Sequence, residues 1–324
     1  MATTSLPAAP SPEAPRRAGS APTAASTSSP RDAGQLARKH HKVEPVFWWM
    51  TIPTLIVFTL AIPLPAVMGI FYSFTNFIGV GNWRFLGLAN YVAMFSDPQI
   101  RASYLFTVGF SLVTVVVVNI VSFLLAVGLT GRIRAKVAMR TIFVIPMVIS
   151  GIVIAYVFQF VFSNAVPAIG QALGIGLLKE SLLTNPDLAW LAVVVVTAWQ
   201  AIPGTLLIYI AGLMSVDEVI YEAADIDGAS KFKQLMQLTL PLVSSYVVIN
   251  TILGFKGFLN AYDIIVGLTA GGPGTSTMSV AMNIVNGLTN GDYAYQMANA
   301  TVFFIFTLLV SLLQLSLMRG RNKK

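Results

Sequence analysis

Charged residues along this chain are gathered into short segments, and between them lie apolar stretches too long for the helices of an ordinary soluble core. Charge-free runs extend from Pro45 to Arg84, Ala102 to Gly131, Thr141 to Leu178, Leu188 to Val216, Gln234 to Phe255 and Tyr293 to Met318. A helix needs roughly 20 apolar residues to cross a bilayer, and every run reaches that length. Backbone in hydrocarbon must close its own hydrogen bonds, and the runs lack the alternation of a membrane barrel. The predicted fold is therefore all-α, a polytopic membrane protein with six transmembrane helices.

Proline and polar residues interrupt this pattern at defined places. The first run contains Pro53, Pro63 and Pro65, the third Pro146, and the fourth Pro203-Gly204. Those of the third and fourth runs are predicted to kink or locally unwind their helices, which hydrocarbon tolerates only where protein or a water-filled cavity takes up the freed carbonyls. Kinks beside a translocation path and kinks of simple packing are both open readings. The fifth span carries Lys256, Asn260 and Asp263 at i, i+4 and i+7. These share one helical face, predicted to point into the bundle because a lysine so deep costs at least about 2.5 kcal/mol elsewhere. The alternative is a helix that ends near Lys256 and lets the lysine snorkel outward.

Composition agrees with a membrane class: 56% of the 324 residues are hydrophobic and 10% are charged, against about 25% charged in soluble domains. The basic residues orient the spans. Arg16, Arg17, Arg31, Arg38, Lys39 and Lys42 precede the first, Arg132, Arg134, Lys136 and Arg140 follow the second, Lys231 and Lys233 follow the fourth, and Arg319, Arg321, Lys323 and Lys324 end the chain. All fall on one side of a six-span arrangement, and the other side receives Arg84, Arg101 and Lys179. The positive-inside rule then makes both termini cytoplasmic. The net charge of +7 is read as topological bias toward membrane lipid, not as a nucleic-acid footprint. Residues 1–40, dense in Ala, Pro, Ser and Thr, are expected to form a disordered cytoplasmic tail, and the apolar run that follows to form an uncleaved anchor. The permease domain proper is expected over 45–318, followed by a basic cytoplasmic tail over 319–324. The chain has no cysteine and two histidines, His40 and His41. They adjoin a juxtamembrane basic cluster suited to anionic lipid rather than to a metal, and no metal site is expected.

Between the fourth and fifth spans the chain reads E-A-A-D-I-D-G-A-S-K-F-K-Q-L-M-Q-L-T-L-P from Glu222 to Pro241. Ser215 and Glu218 have capping-box spacing, with Val216, Val219, Ile220, Ala223 and Ile226 on one helical face and Glu218, Glu222 and Asp225 on another. Gly228 is predicted to end this helix in a left-handed conformation, Lys231 and Lys233 to begin a second, and Pro241 to open the next span. A solvated linker is the alternative, although a linker could be far shorter.

The segment over 215–241 resembles the EAA loop of binding-protein-dependent ABC importer permeases: E-A-A, three residues, Gly, nine residues, then an aliphatic residue (here Leu238), any residue, Leu and Pro. The resemblance implies the type I ABC importer transmembrane fold and a cytoplasmic loop that docks in a groove of an ATPase subunit. It assigns Glu222, Ala223, Ala224, Asp227, Gly228, Leu240 and Pro241 to that coupling. A second motif, Leu268-Thr269-Ala270-Gly271-Gly272-Pro273 with a following Thr, is similar to an outer loop of one permease type in carbohydrate-uptake importers of the maltose, multiple-sugar and glycerol-3-phosphate kind. Thr269, Gly271, Gly272 and Pro273 carry it. The chain's ending differs from the Gly-Ala-Val-Lys-Gly tail of the companion type, which points to the first-type subunit.

The resemblance implies a bacterial plasma-membrane sugar permease with three kinds of partner: a second permease, two ABC ATPase subunits and an extracytoplasmic solute-binding protein. No phosphate-cradling G-x-x-x-x-G-K-[ST] occurs, so the chain is expected not to be an enzyme and ATP and Mg are expected on the partner ATPase, with no cofactor here. A solute path is nominated at Trp199, Gln200, Lys256, Phe258, Asn260, Tyr262 and Asp263, amide, charged and aromatic groups suited to sugar hydroxyls and C–H faces. A permease for a non-sugar solute, a self-contained secondary carrier and a membrane-embedded enzyme are the rivals; the carrier would normally need a buried ionisable relay, which the membrane runs lack.

Overall fold

An unpaired backbone group in hydrocarbon costs several kcal/mol, so the apolar runs pair their own amides and carbonyls as helices. The structure, a computed structural model, describes residues 45–131 and 136–321. Predictions for the N-terminal tail, for His40 and His41, for Arg132 and Arg134, and for Lys323 and Lys324 lie outside the described residues. What is described is all-α, with one isolated antiparallel bridge between Thr75 and Phe85.

The described residues divide into two compact units, with the boundary between Phe58 and Thr59. Helix α1 (Pro45–Ala61), within which that boundary falls, carries Pro53 in its interior. Thr54 Oγ1 there donates 3.0 Å to Met50 O.

In the second unit α2 (Pro63–Tyr72) opens with proline in its first turn, where no amide is needed. After α3 (Ala89–Ser96), α4 (Pro98–Thr130) runs 33 residues, about 50 Å at the helical rise. Asp97 caps it, its Oδ1 accepting from Gln99 N at 2.8 Å and Ile100 N at 3.4 Å. Alongside lies α8 (Ala189–Met214). Ser122 meets Ile202 at one level, while Ala126 and Leu129 meet Leu206, Tyr209 and Ile210 further along. The two helices therefore run in the same direction, as spans two and four of a six-span chain must.

The run from Thr141 to Leu178 does not form a single helix. α5 (Lys136–Val148) stops after Pro146, Ile149 and Ser150 are non-helical, and α6 (Gly151–Phe160) leads through a π-helical turn at Val161–Ala165 into α7 (Val166–Leu173). The carbonyl of Ile149 exposed by this break accepts from Gln200 Nε2 of α8 at 3.2 Å. Pro203, by contrast, leaves α8 unbroken, which corrects the predicted unwinding there. Ser122 Oγ donates to Ile202 O at 3.2 Å and Asn250 Nδ2 to Thr205 O at 3.4 Å. Neighbouring helices thus supply donors around the proline.

Two short helices, α9 (Glu218–Ile226) and α10 (Lys231–Gln234), follow α8. A π turn at Leu235–Thr239, α11 (Leu240–Leu242) and α12 (Ser244–Leu259) come next, with a bend of 66° after Leu242. Pro241 therefore closes the element before the bend and does not open the fifth span as predicted. α13 (Asp263–Thr269), α14 (Val280–Thr289) and α15 (Tyr293–Arg321) complete the fold. Among the described residues five helical stretches are long and apolar enough to cross a membrane, and counting the bent pair as one span gives six. The protein is an all-α, multi-pass membrane protein, with the fifth span broken where the sequence reads as continuous. Its larger core joins Phe110, Val118, Ala155, Val193, Leu259 and Ile265 from five of the helices.

Candidate functional site: a two-helix loop and a polar cavity

The loop after α8 is built by local hydrogen bonding. Ser215 belongs to the end of α8, its Oγ donating to Gly212 O at 2.7 Å, and the cap of α9 is Asp217, whose Oδ1 accepts from Val219 N at 3.0 Å. The capping box from Ser215 is corrected accordingly: its hydroxyl is already committed. At Gly228 φ is +71°, the left-handed conformation that an L side chain resists. The turn is closed by Gly228 N donating to Asp225 O at 3.1 Å and Ala229 N to Ala224 O at 3.0 Å. Ser230 caps α10 by accepting from Lys233 N at 3.3 Å.

Asp225 clamps the two helices across this bend. Lys231 Nζ donates to its two oxygens at 2.7 and 3.0 Å, and Gln234 Nε2 to Oδ1 at 2.6 Å. Gln234 is buried and also donates to Ala229 O at 2.9 Å. Further along, Tyr221 and Thr239 hydroxyls lie 3.1 Å apart. The side turned inward is thus Tyr221 and Ala224, with Ile220 half-buried, while Asp225 bridges the two helices at the surface. The apolar face predicted from Val216 to Ile226 is split: Val219 is 63% exposed and Ile226 87%, joined by Phe232 at 70%. Glu222, Ala223, Asp227 and Gly228 are exposed beside them, Ala224 is buried, Leu240 is half-buried and Pro241 exposed.

Hydrogen bonds from Lys231 and then Gln234 hold the Asp225 carboxyl below the usual carboxylate range. A depressed folded value means the clamp is complete above the unfolded pKa of about 3.9 and is lost only as pH falls through the lower folded value. Uptake is therefore expected to show no titration of this group from about pH 5 to 8. Asp225→Ala is expected to lower uptake several-fold at every pH in that range and to speed tryptic cleavage at Lys231 and Lys233, as read by limited proteolysis.

A second feature is a cavity of about 450 Å³ beside the break between α5 and α6. It brings together Gln200 of α8, Phe258 and Asn260 at the end of α12, and Tyr262 and Asp263 at the start of α13. Five of the seven nominated path residues meet here. Lys256 does not: it is exposed, and Asn260 Nδ2 donates back to its carbonyl at 2.9 Å, ending the helix. The single face predicted for Lys256, Asn260 and Asp263 is therefore corrected, because Asp263 begins a separate helix after the non-helical Ala261 and Tyr262. Trp199 stands outside the cavity, edge-on to Phe158 with ring centroids 5.2 Å apart. Thr197, not nominated, lines the wall, and its buried hydroxyl has no partner. A threonine one turn before Gln200 in an apolar run gives no signal of its own.

The turn after α13 is closed on itself. Gly272 N donates to Thr269 O at 2.9 Å and Thr277 Oγ1 to Gly272 O at 2.7 Å, with the Thr269 and Thr277 hydroxyls 2.8 Å apart. Gly271 and Thr277 are buried, Gly272 and Pro273 half-buried. Val280 N then donates to Thr107 Oγ1 of α4 at 2.9 Å. Also missed from sequence is a buried amide ladder: Asn299 Nδ2 donates to Gln296 Oε1 at 3.2 Å, Gln296 Nε2 to Asn283 Oδ1 at 3.4 Å and Asn283 Nδ2 to Ser103 Oγ at 3.3 Å. It fastens α14 and α15 to α4. Gln296 and Asn299, three residues apart in an apolar run, were the signal available.

Residues 119–321 match the family described as binding-protein-dependent transport system inner membrane component. The chain is 33% identical over 272 residues to the multiple sugar-binding transport system permease protein MsmF of Streptococcus mutans, covering 83% of this chain and 94% of that one. It is 30% identical over 277 residues to the probable starch degradation products transport system permease protein AmyD of Thermoanaerobacterium thermosulfurigenes, covering 85% and 94%. Its fold is shared with a chain of a bacterial ABC transporter involved in the import of the acidic polysaccharide alginate, at a TM-score of 0.74, 21% identity and coverage of 85% and 95%. The helical bundle, the two-helix loop and the match from within the second span to the end of the sixth agree, and the chain belongs to the family of binding-protein-dependent transport system inner membrane components.

Proposed function

We propose that this chain is the first-type permease subunit of an ATP-driven importer for a sugar, working with a second permease, two ATPase subunits and an extracytoplasmic solute-binding protein. The chain itself is non-catalytic in this reading, with ATP and Mg held by the ATPase subunits, and both termini and the α9–α10 loop lie in the bacterial cytoplasm. The domain limits expected from the sequence, a permease over 45–318 between cytoplasmic tails, belong to the same proposal.

The observation that carries it is the exposed apolar surface on a two-helix loop whose inner side is fully hydrogen-bonded. Val219, Ile226 and Phe232 project from the two helices that Asp225 bridges, which suits a groove on a partner. ATP-driven closure of the ATPase pair would then move α9 and α10, and through them α8 and α12. Switching a two-state bundle from 1:99 to 99:1 takes about 5.5 kcal/mol of differential affinity, and a rigid loop passes that bias on where a floppy linker would absorb it.

The relatives' names, which refer to starch degradation products and multiple sugars, support a carbohydrate solute, and so does the cavity. Gln200 and Asn260 offer amides, Phe258 and Tyr262 aromatic faces, and no lysine or arginine lines it. An anionic solute such as glycerol 3-phosphate would meet Asp263 without a counter-charge there, so a neutral sugar fits better.

Reconstituted with its partners in proteoliposomes, the chain is expected to support uptake of labelled maltodextrin or another neutral sugar only with ATP inside and binding protein outside. Gln200→Ala and Asn260→Ala are expected to cut that uptake without altering sugar affinity of the binding protein. Solute movement by the purified chain alone, without ATP, would overturn the reading in favour of a carrier.

A further inference from the structure

At the N-terminal end of α4 a second cavity, of about 440 Å³, opens between α3, α4 and α15. Its walls include Met94 and Phe95 of α3, Tyr104 and Val108 of α4 and Phe306 of α15, and its one charged wall residue is Arg101. The groove follows α4 from Arg101 to Val108, two helical turns or roughly 10 Å, toward the middle of the span.

Arg101 is exposed in the first turn of α4, where the helix dipole opposes a cation. It also lies at the end of the bundle that the positive-inside distribution leaves poor in basic residues. Asp97, one turn earlier, is its natural ion-pair partner, yet both Asp97 oxygens are committed. Oδ1 caps α4 through Gln99 N and Ile100 N, and Oδ2 accepts from Tyr295 OH at 2.9 Å. Among the described residues the one ion pair is Lys231 with Asp225. The guanidinium thus stands without a counter-charge at the mouth of an apolar groove.

We propose that this groove holds one bilayer glycerophospholipid with an anionic headgroup, its phosphate on Arg101 and an acyl chain laid along Tyr104, Val108 and Phe306. Charge complementarity selects this occupant. A helix of a companion permease laid over the groove would bury the guanidinium unless it brought its own carboxylate, and an unpaired buried charge is strongly destabilising. A lipid carries the anion with it, in a geometry the guanidinium fork matches, while its chain enters an apolar wall already facing hydrocarbon. The site shares no residue with the α9–α10 loop or with the cavity at Gln200, so it stands apart from solute handling.

The test places the assembled transporter in phosphatidylcholine nanodiscs containing a phosphatidylglycerol probe with a photoreactive acyl chain, and maps the labelled peptides. Label is expected on the peptides holding Tyr104 to Val108 and Val302 to Phe306. It is expected to fall about fivefold in Arg101→Gln, to persist in Arg101→Lys, and to vanish in Val108→Trp, which fills the groove and leaves the arginine in place. Equal labelling by a phosphatidylcholine probe in the unaltered protein, unchanged labelling in Arg101→Gln, or absence of label from both peptides would each overturn the proposal.

Discussion

Gly228→Val is expected to bring ATP-driven uptake down to background while the transporter still inserts and assembles. At φ of +71° an L residue costs about 1–2 kcal/mol, and a β-branched one more. Nothing lies within 4 Å of where the new Cβ would sit, so there is no clash to confuse the result and the effect is one of backbone alone. The chain escapes the strain by rotating φ to negative values, and that rotation breaks the bonds from Gly228 N to Asp225 O and from Ala229 N to Ala224 O. Asp225 is then carried away from Lys231 and Gln234, and α9 can no longer move as one body with α10. A shift of about 1–2 kcal/mol changes the population of the intact bend roughly 5–30-fold, enough to uncouple the ATPase stroke. Gly228→Asn, which tolerates the left-handed conformation, is expected to keep most of the activity. Glu222→Lys addresses the docking surface rather than the bend: it reverses an exposed charge and is expected to abolish uptake with the rate of tryptic cleavage at Lys231 and Lys233 unchanged. Uptake in proteoliposomes, together with ATPase stimulation by sugar-loaded binding protein, reads all three. A valine variant that transports at the unaltered rate would end the coupling role of this turn.

That bend was legible in the sequence because one residue type satisfies it: a glycine between two capping-competent segments has few other uses. The cap itself was not, since Ser215 and Asp217 are both good caps and the choice depends on Gly212 O taking the serine hydroxyl, a contact within the preceding helix. Six spans were legible from hydropathy, but hydropathy reports burial and says nothing of direction. The 66° turn after Leu242 lies in an unbroken apolar run, and its sequence signal is Pro241, which withholds an amide from Gln237 O within the π turn at Leu235–Thr239. The same limit explains Lys256. A helical wheel drawn from Lys256 through Asp263 assumes one helix, whereas Asn260 bonds back to the Lys256 carbonyl and Ala261 and Tyr262 turn the chain. Asn and Asp so close together in N-A-Y-D are turn formers, and weighing them above the periodicity would have placed Asp263 on a new helix. Gln200 and Asn260 were found as sugar-like chemistry, while their meeting in one cavity depends on the break at Ile149 that Gln200 itself satisfies.

The seam that positions this cavity is the contact of α13 with α6, and Gly267→Leu is expected to undo it. A methyl group at Gly267 would fall 2.7 Å from Ala155 Cβ, 3.0 Å from Ile152 Cδ1 and 3.3 Å from Ile152 O. Such separations are shorter than these atoms accept, and although the Ile152 side chain can turn away, the fully buried Ala155 methyl and the Ile152 carbonyl have no rotamer to give. The two helices must part. Overpacking of this kind costs about 1–3 kcal/mol for added methylenes, and small residues at a membrane helix crossing are what permit the backbones to approach. The displacement reaches the site from both sides, because α6 begins at Gly151 and α13 at Asp263, and both residues line the cavity with Gln200. It also reaches the turn that begins at Thr269 and is tied through Val280 to Thr107 of α4. Gly267→Leu is accordingly expected to prevent accumulation of the assembled transporter, and Gly267→Ala to lower its melting temperature by several degrees and to reduce uptake. Ala155→Gly removes the one methyl in closest conflict, so the double variant Ala155→Gly with Gly267→Ala is expected to recover part of both losses. Melting curves and uptake for the two single variants and the double form a cycle. If Gly267→Ala melts and transports as the unaltered protein does, close approach at this crossing does not set the cavity. If the double variant is no better than Gly267→Ala, the conflict lies with the Ile152 backbone rather than with Ala155.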